Sequence, residues 1–94
     1  MSEPKTYDPD AIVAALRTWA AHAPKRMLPA RRYGRLTLKV VQFQIALADA
    51  GIIEMEDNYV PAHGVLEALE ALRGRYSIVG PSSLWDRRCR IVID

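Results

Sequence analysis

The sequence has little of what disulfide-stapled, membrane-spanning or exported proteins need. Cys89 is its only cysteine, so an intramolecular disulfide is excluded. No segment approaches the roughly 18 consecutive apolar residues of a transmembrane helix. The N-terminus, Met-Ser-Glu-Pro-Lys, also lacks the hydrophobic core of a signal peptide. We therefore expect a cytoplasmic protein with no membrane partner.

Residue patterns for catalysis and metal binding are also missing. The two histidines, His22 and His63, have no cysteine or carboxylate at the spacing of metal ligands. There is no glycine-rich phosphate loop, no nucleophile elbow and no pair of titratable groups suited to acid and base roles. Cys89 alternates with Ile91 and Ile93, which favours a small core residue over a reactive thiol. We expect no catalytic residue, no metal and no cofactor, and therefore not an enzyme.

The composition that remains is typical of an ordinary globular domain. Half of the 94 residues are hydrophobic and 26% are charged. A chain of this length folds as one domain. We place that domain at residues 8–94, behind a flexible tail at residues 1–7. The core of so short a chain is thin, which favours a homodimer as a supplement to it.

The charged residues are separated along the chain, although the net charge is only +2. Residues 24–39 carry six cations and no acid, whereas residues 40–72 carry six acids and no lysine or arginine. This separation predicts a polarised surface, and a basic face is the usual footprint of a phosphate-bearing partner. The alternative is that the two blocks neutralise each other in the folded protein.

Helical patterns dominate the first half of the chain. Asp8 and Pro9 are typical of an N-cap and a first helical position, and Pro24 ends the helix that follows. A second, short helix is predicted from Pro29 to Tyr33. Residues 36–50 have the pattern of a longer helix. Its apolar stripe consists of Val40, Phe43, Leu47 and Ala50, widened by Val41, Ile45 and Ala48.

The second half alternates between strand and helix patterns. Two short apolar segments flank Glu56-Asp57-Asn58 and predict a hairpin over residues 52–60. Gly64 precedes an amphipathic helix that Gly74 ends. The last two strands are predicted at Tyr76–Val79 and Cys89–Ile93. The predicted fold class is α+β, with three to four helices, a small antiparallel β-hairpin and a C-terminal strand pair.

The middle of this order resembles a winged helix-turn-helix domain over residues 26–62. A helix-turn-helix unit has a small residue, a turn glycine four residues later and apolar anchors in its second helix. The matching positions here are Ala30, Gly34, the anchors Val40 and Phe43, the stretch Leu47–Ile53 that would enter the first wing strand, and the wing tip Glu56–Asn58. The resemblance implies a winged-helix-like fold and a DNA-binding regulator of transcription.

The resemblance also implies which residues contact DNA. The helix at 36–50 would enter the major groove. Its base-reading residues would be Thr37, Lys39 and Gln42. The phosphates would be bound by Arg31, Arg32 and Arg35, which set the register of the protein on the duplex.

A function of another class fits the same sequence. Small size, divided charge and the absence of chemistry also fit a protein-binding module, such as a phage- or plasmid-type regulator or inhibitor. Its contact surface would consist of the acidic residues Glu54 and Glu56 together with Trp85. We expect Trp85 itself to fold back over the hairpin, because tryptophan is highly buried on average.

Overall fold

The computed structural model of this chain describes residues 7–25, 30–32, 35–54 and 63–93. It confirms the α+β class. The helices and strands of the described residues are α1 (Pro9–His22), β1 (Ala30–Arg32), β2 (Arg35–Lys39), α2 (Val40–Asp49), α3 (His63–Ala71), β3 (Tyr76–Val79) and β4 (Arg90–Ile93).

Helix α1 forms as its sequence predicts. The Asp8 carboxylate accepts a hydrogen bond of 3.0 Å from the backbone N–H of Asp10, and Pro9 occupies the first turn, where its missing N–H costs nothing. At the other end, Nδ1 of His22 lies 2.9 Å from the carbonyl oxygen of Thr18. The buried residues of α1 are Ile12, Val13, Leu16 and Ala20.

The strands form an antiparallel sheet in the order β1-β2-β4-β3. The predicted C-terminal strand pair is confirmed, since β3 and β4 are neighbours with Ile78 opposite Ile91. Strand β2 joins this pair through β4, with Leu38 opposite Ile91 on its other side. The pairing of β2 with β4 therefore links the first half of the chain to its last residues.

The prediction for residues 29–50 is wrong at two places. Residues 30–32 form strand β1, not part of a short helix from Pro29 to Tyr33, and they pair with β2. The predicted helix at 36–50 begins only at Val40, because residues 35–39 are strand β2. Both segments gain backbone partners from the sheet, and this tertiary pairing outweighs local helical preference. Gly34 lies outside the described residues.

Helix α2 buries Phe43 and Leu47 of its predicted apolar stripe, but the stripe is wrong at Ala50 and omits Gln44 and Ala46. Its buried residues are Phe43, Gln44, Ala46 and Leu47, whereas Val40 and Ala48 are only half-buried and Ala50 is exposed. Because Lys39 ends β2 and caps α2, the direction of the helix is set by the strand that precedes it. The predicted stripe assumed a helix that began four residues earlier.

The predicted hairpin at 52–60 lies mostly outside the described residues. Its described part, residues 52–54, contains no strand. Ile53 is instead buried in the core, and Glu54 is exposed. The predicted helix after Gly64 is confirmed as α3, which buries Val65, Ala68 and Leu69.

All three helices cover one face of the sheet. Leu36 and Leu38 of β2 and Ile91 and Ile93 of β4 share one buried core with residues of α1, α2 and α3. Tyr7, the last residue of the predicted tail, packs against this core. None of the helices that the structure describes is both long and apolar enough to cross a membrane.

Candidate nucleic-acid interface

The face of the sheet turned away from the helices, here called the outer face, carries cations. In β2, the buried residues Leu36 and Leu38 alternate with Arg35, Thr37 and Lys39, which therefore lie on the outer face. Arg35 and Lys39 are exposed, and Thr37 is half-buried. The sheet register adds four further residues to this face: Arg90 and Val92 from β4, and Ser77 and Val79 from β3.

The register also places like charges opposite each other. Lys39 is the cross-strand partner of Arg90. Like charges directly opposite each other destabilise an antiparallel pair. None of the seven outer-face residues named above is a carboxylate that could relieve this repulsion.

One end of the outer face is extended by the β3–β4 connection, residues 80–89. Val79, the last residue of β3, pairs with Arg90, the first residue of β4. The connection therefore leaves the sheet beside the Lys39–Arg90 pair. The connection adds Arg87 and Arg88, whose side chains are both exposed. Together, Lys39, Arg87, Arg88 and Arg90 form what we call the basic end of the sheet.

The connection is held in place by its own hydrogen bonds. Asp86 accepts from the backbone N–H of Arg88 at 2.9 Å and pairs with the Arg88 guanidinium at 3.0 Å. The side-chain hydrogen bonds from Arg88 lower the pKa of the Asp86 carboxyl, and the same contact raises the pKa of Arg88. Arg90 donates to the carbonyl oxygens of Arg87 at 2.6 Å and Cys89 at 3.0 Å. These contacts fix the backbone from which Trp85 and Arg87 project.

The Asp86 carboxylate is paired with Arg88, whereas the Arg87 guanidinium has no partner among the described residues. Both oxygens of Asp86 face Arg88. In the part of the chain that the structure describes, the Arg87 side chain makes no hydrogen bond or ion pair. The basic end therefore presents a guanidinium that is free to bind an anion.

Trp85 is exposed, contrary to the expectation that it folds back over the hairpin. Its exposed fraction is 56%, and among the described residues its indole N–H donates no hydrogen bond. Its neighbour Leu84 packs against the core instead, so Leu84 anchors the turn and leaves the indole outside. Val79, at the same end of the sheet, is 45% exposed.

The structure distributes the predicted DNA-binding residues over three elements. Arg31 and Arg32 lie in β1, and Arg35, Thr37 and Lys39 lie in β2. Only Gln42 is helical, and its Oε1 accepts a 2.8 Å hydrogen bond from the backbone N–H of Lys39 at the start of α2. The predicted recognition helix therefore does not include Thr37 and Lys39, whose strand conformation brings them to the sheet instead.

Thr37 has an unusual environment for a hydroxyl. Its Oγ1 is buried and has no hydrogen-bond partner among the described residues. By register, Thr37 lies between Ala30 and Val92 in the middle of the outer face. A buried hydroxyl without a hydrogen-bond partner lowers the free energy of unfolding by about 1–3 kcal/mol, so Thr37 occupies an unfavourable position.

Most of the acidic residues that the structure describes belong to the helices or lie next to a helix end. Asp49, Glu67 and Glu70 are exposed on α2 and α3, and Glu54 is exposed after α2. Glu56, predicted with Glu54 for protein binding, lies outside the described residues. The ion pairs Asp10–Arg75 and Asp86–Arg88 both lie outside segments 24–39 and 40–72.

The described residues offer little for metal or thiol chemistry. They contain no group of three or more histidine, cysteine, aspartate or glutamate side chains that could hold a metal ion. Cys89 is buried, as its alternation with Ile91 and Ile93 predicts. Burial raises the pKa of its thiol, and Asp86 raises it further, against the opposing effect of Arg90.

The sequence interpretation did not assign Arg87 and Arg90 to the site. The signal was present, because Arg90 alternates with the apolar residues Ile91 and Ile93 and must lie on the opposite face of a strand. The sequence did not indicate which strand pairs with β4. Only the pairing of β4 with β2 brings Arg90 beside Lys39.

Comparison of the chain with protein-family models, with curated proteins and with solved structures finds no match.

Proposed function

We propose that this protein binds nucleic acid through the outer face and the basic end of its sheet. One observation carries the proposal: Lys39 lies directly opposite Arg90 on a face whose described residues include no carboxylate. This arrangement costs folding free energy. A phosphate backbone placed across the pair removes the repulsion and releases counterions at the same time.

The helix that follows β2 strengthens the positive potential at this point. Lys39 is the N-cap of α2, and the N-terminus of a helix carries about half a positive charge from its aligned peptide dipoles. A cation is disfavoured there, whereas an anion is favoured. The potentials of the Lys39–Arg90 pair and of the helix therefore add, and both attract a phosphate.

The dimensions of the face suit a polyanion. Arg35 and Lys39 are four residues apart on one strand, which corresponds to roughly 13 Å at about 3.3 Å per residue. A nucleic-acid strand places several phosphates within that distance. The proposed contact therefore uses a sheet surface, as β-ribbon and β-sheet readers do, and not a recognition helix. The resemblance to winged helix-turn-helix domains and a role in transcription stay predictions.

The test is fluorescence anisotropy with a labelled duplex and a labelled single strand, each of about 25 nucleotides, at low and near-physiological salt. The variant Lys39→Gln/Arg87→Gln removes two cations from the basic end. The matched control, Arg17→Gln/Arg73→Gln, removes two exposed cations from α1 and from the end of α3. We expect the first variant to lose about tenfold in affinity and to reduce the log-salt slope by roughly one to two.

Two results would contradict the proposal. If neither probe binds at low salt, where the electrostatic contribution is largest, the protein is not a nucleic-acid-binding protein of this kind. If the control variant loses as much affinity as the basic-end variant, binding reflects net charge and not the outer face.

The exposure of Trp85 also supports the second candidate function, a protein-binding module that uses Glu54, Glu56 and Trp85. The two candidates differ at Glu54, which is exposed. A nucleic-acid site at the sheet predicts that Glu54→Lys leaves oligonucleotide affinity unchanged or raises it. A protein site predicts that the same charge reversal abolishes the biological activity.

A further inference from the structure

Trp85 is presented by a turn that is ordered on both sides. On one side, Leu84 packs against the core. On the other, Asp86 is bound to Arg88, and its backbone N–H donates a 3.1 Å hydrogen bond to the carbonyl oxygen of Ser83. The backbone that carries Trp85 is therefore held in place before any ligand arrives, so that little backbone entropy is lost when a ring stacks on the indole.

The surroundings of Trp85 supply phosphate-binding groups. Arg87 and Arg88 follow it within three residues, and the Arg90 guanidinium is bound to the carbonyl oxygen of Arg87. Lys39 lies opposite Arg90 on the neighbouring strand. An aromatic ring next to several cations is the combination that proteins use for single-stranded nucleic acids, in which bases stack on aromatic side chains while cations follow the backbone.

A duplex cannot use this arrangement in the same way. Its bases are stacked on each other within the double helix, so the face of a base is available only if it is unpaired and turned out. A tryptophan that is 56% exposed in the connection that also carries Arg87 and Arg88 contributes most to a strand whose bases are free.

We propose that the indole face of Trp85 stacks on an unpaired nucleobase, which makes the ligand of the basic end a single-stranded nucleic acid. The inference rests on the proposed function and names its ligand class. The phosphates on either side of the stacked base are bound by Arg87 and Lys39, while Arg88 stays paired with Asp86. The Arg90 side chain holds the connection against the sheet.

The test compares three labelled probes with equal numbers of phosphates: an oligo-dT strand, a strand of abasic sites and a duplex. Trp85→Ala is expected to weaken oligo-dT binding by about tenfold to a hundredfold, the usual effect of removing one base–aromatic stack. Trp85→Phe is expected to recover most of that loss. Neither variant should change affinity for the abasic strand, because that strand has no base to stack.

A spectroscopic measurement separates stacking from a structural role. Trp19→Phe leaves Trp85 as the only tryptophan, and its fluorescence should be quenched by oligo-dT and not by the abasic strand. The melting temperature of Trp85→Ala should match that of the wild-type protein, since the side chain is largely exposed.

The possible failures are distinguishable. If Trp85→Ala binds oligo-dT as tightly as the wild type, or loses affinity equally for the abasic strand, the stacking inference is overturned while the proposed function stands. If the duplex is preferred over oligo-dT, the single-strand assignment is overturned. If no probe binds at low salt, the proposed function itself fails.

Discussion

Gly64, in the first turn of α3, lies so close to Ile53 that a β-carbon on Gly64 would be 2.5 Å from Cγ2 of Ile53. The same atom would be 3.0 Å from Cβ of Ile53 and 3.1 Å from the hydroxyl oxygen of Tyr7. Ile53 is buried, so it has little room to move away. This contact fixes how α3 packs on the segment that follows α2.

The first prediction concerns whether Gly64→Ala raises or lowers the free energy of unfolding. In an unobstructed helix, alanine is more favourable than glycine by about 1 kcal/mol. Here the contact with Ile53 should reverse the sign, and the variant should lose about 1–3 kcal/mol of unfolding free energy. Urea denaturation measures this, and Ile53→Ala in the same protein should give a coupled, partly compensating effect in a double-mutant cycle. A stabilised Gly64→Ala protein would show that the contact does not exist.

The second prediction concerns the Lys39–Arg90 pair. Lys39→Glu replaces like charges by opposite charges across the strands and places an acid at the N-cap of α2. Both changes should stabilise the fold, together by about 0.5–2 kcal/mol at low salt, and the gain should shrink as salt screens it. The same variant should lose more than tenfold in oligonucleotide affinity.

The control for this variant is Lys25→Glu, which makes the same charge change at an exposed residue after α1. It should alter neither thermal stability nor binding to a comparable degree. If Lys39→Glu destabilises the protein, Lys39 has a structural role and the argument from repulsion is wrong.

The third prediction links a backbone position to the site. Gly80 has φ +85, and a β-carbon there would be 2.9 Å from the carbonyl oxygen of Arg88. Gly80→Ala should therefore strain the β3–β4 connection by about 1–3 kcal/mol and displace Trp85. We expect lower thermal stability and weaker binding to oligo-dT, with affinity for the abasic strand less affected. Wild-type affinity for oligo-dT would mean that the geometry of the connection is irrelevant to binding.

The fourth prediction concerns Cys89. Its side chain is buried, and burial raises the pKa of the thiol, so little thiolate forms near neutral pH. A thiol reagent at about pH 8 should label the native protein far more slowly than the urea-unfolded protein. Labelling of both states at the same rate would show that the connection opens readily.

Local chemistry was sufficient to predict several elements. Helix α1 has its own start signal in Asp8 and Pro9, and β3 and β4 are short segments rich in β-branched and aromatic residues. These signals act over a few residues, so neighbours in sequence determine the outcome. The fold class followed from them, although the register of the sheet did not.

Residues 35–39 show why the rest was not predictable. Leu36, Val40, Phe43 and Leu47 recur at intervals of three and four, so the helical pattern continues through the strand. The competing pattern, Leu36 and Leu38 alternating with Arg35, Thr37 and Lys39, has a period of two over the same residues. Residues 35–39 form a strand and not a helix because they pair with β4, which lies more than 50 residues further along the chain.

The site depends on that same long-range pairing. Arg87 and Arg90 belong to a C-terminal cluster that the charge pattern showed, yet nothing local indicates that they face Lys39. The exposure of Trp85 was predicted wrongly because average burial describes a residue type, whereas Leu84 takes the core position in this turn.

Strand β2 passes directly into α2, with Lys39 ending the strand and capping the helix. The register of β2 in the sheet therefore determines the rotation of α2 about its axis. A slip of β2 by one residue would exchange its two faces and at the same time rotate α2 by about 100°. Phe43 would then leave the core in the same step that moves Lys39 away from Arg90. The packing of the apolar core thus determines the positions of the surface cations relative to one another. Substitutions at Phe43 should accordingly disturb the charge pattern of a surface that this side chain never touches.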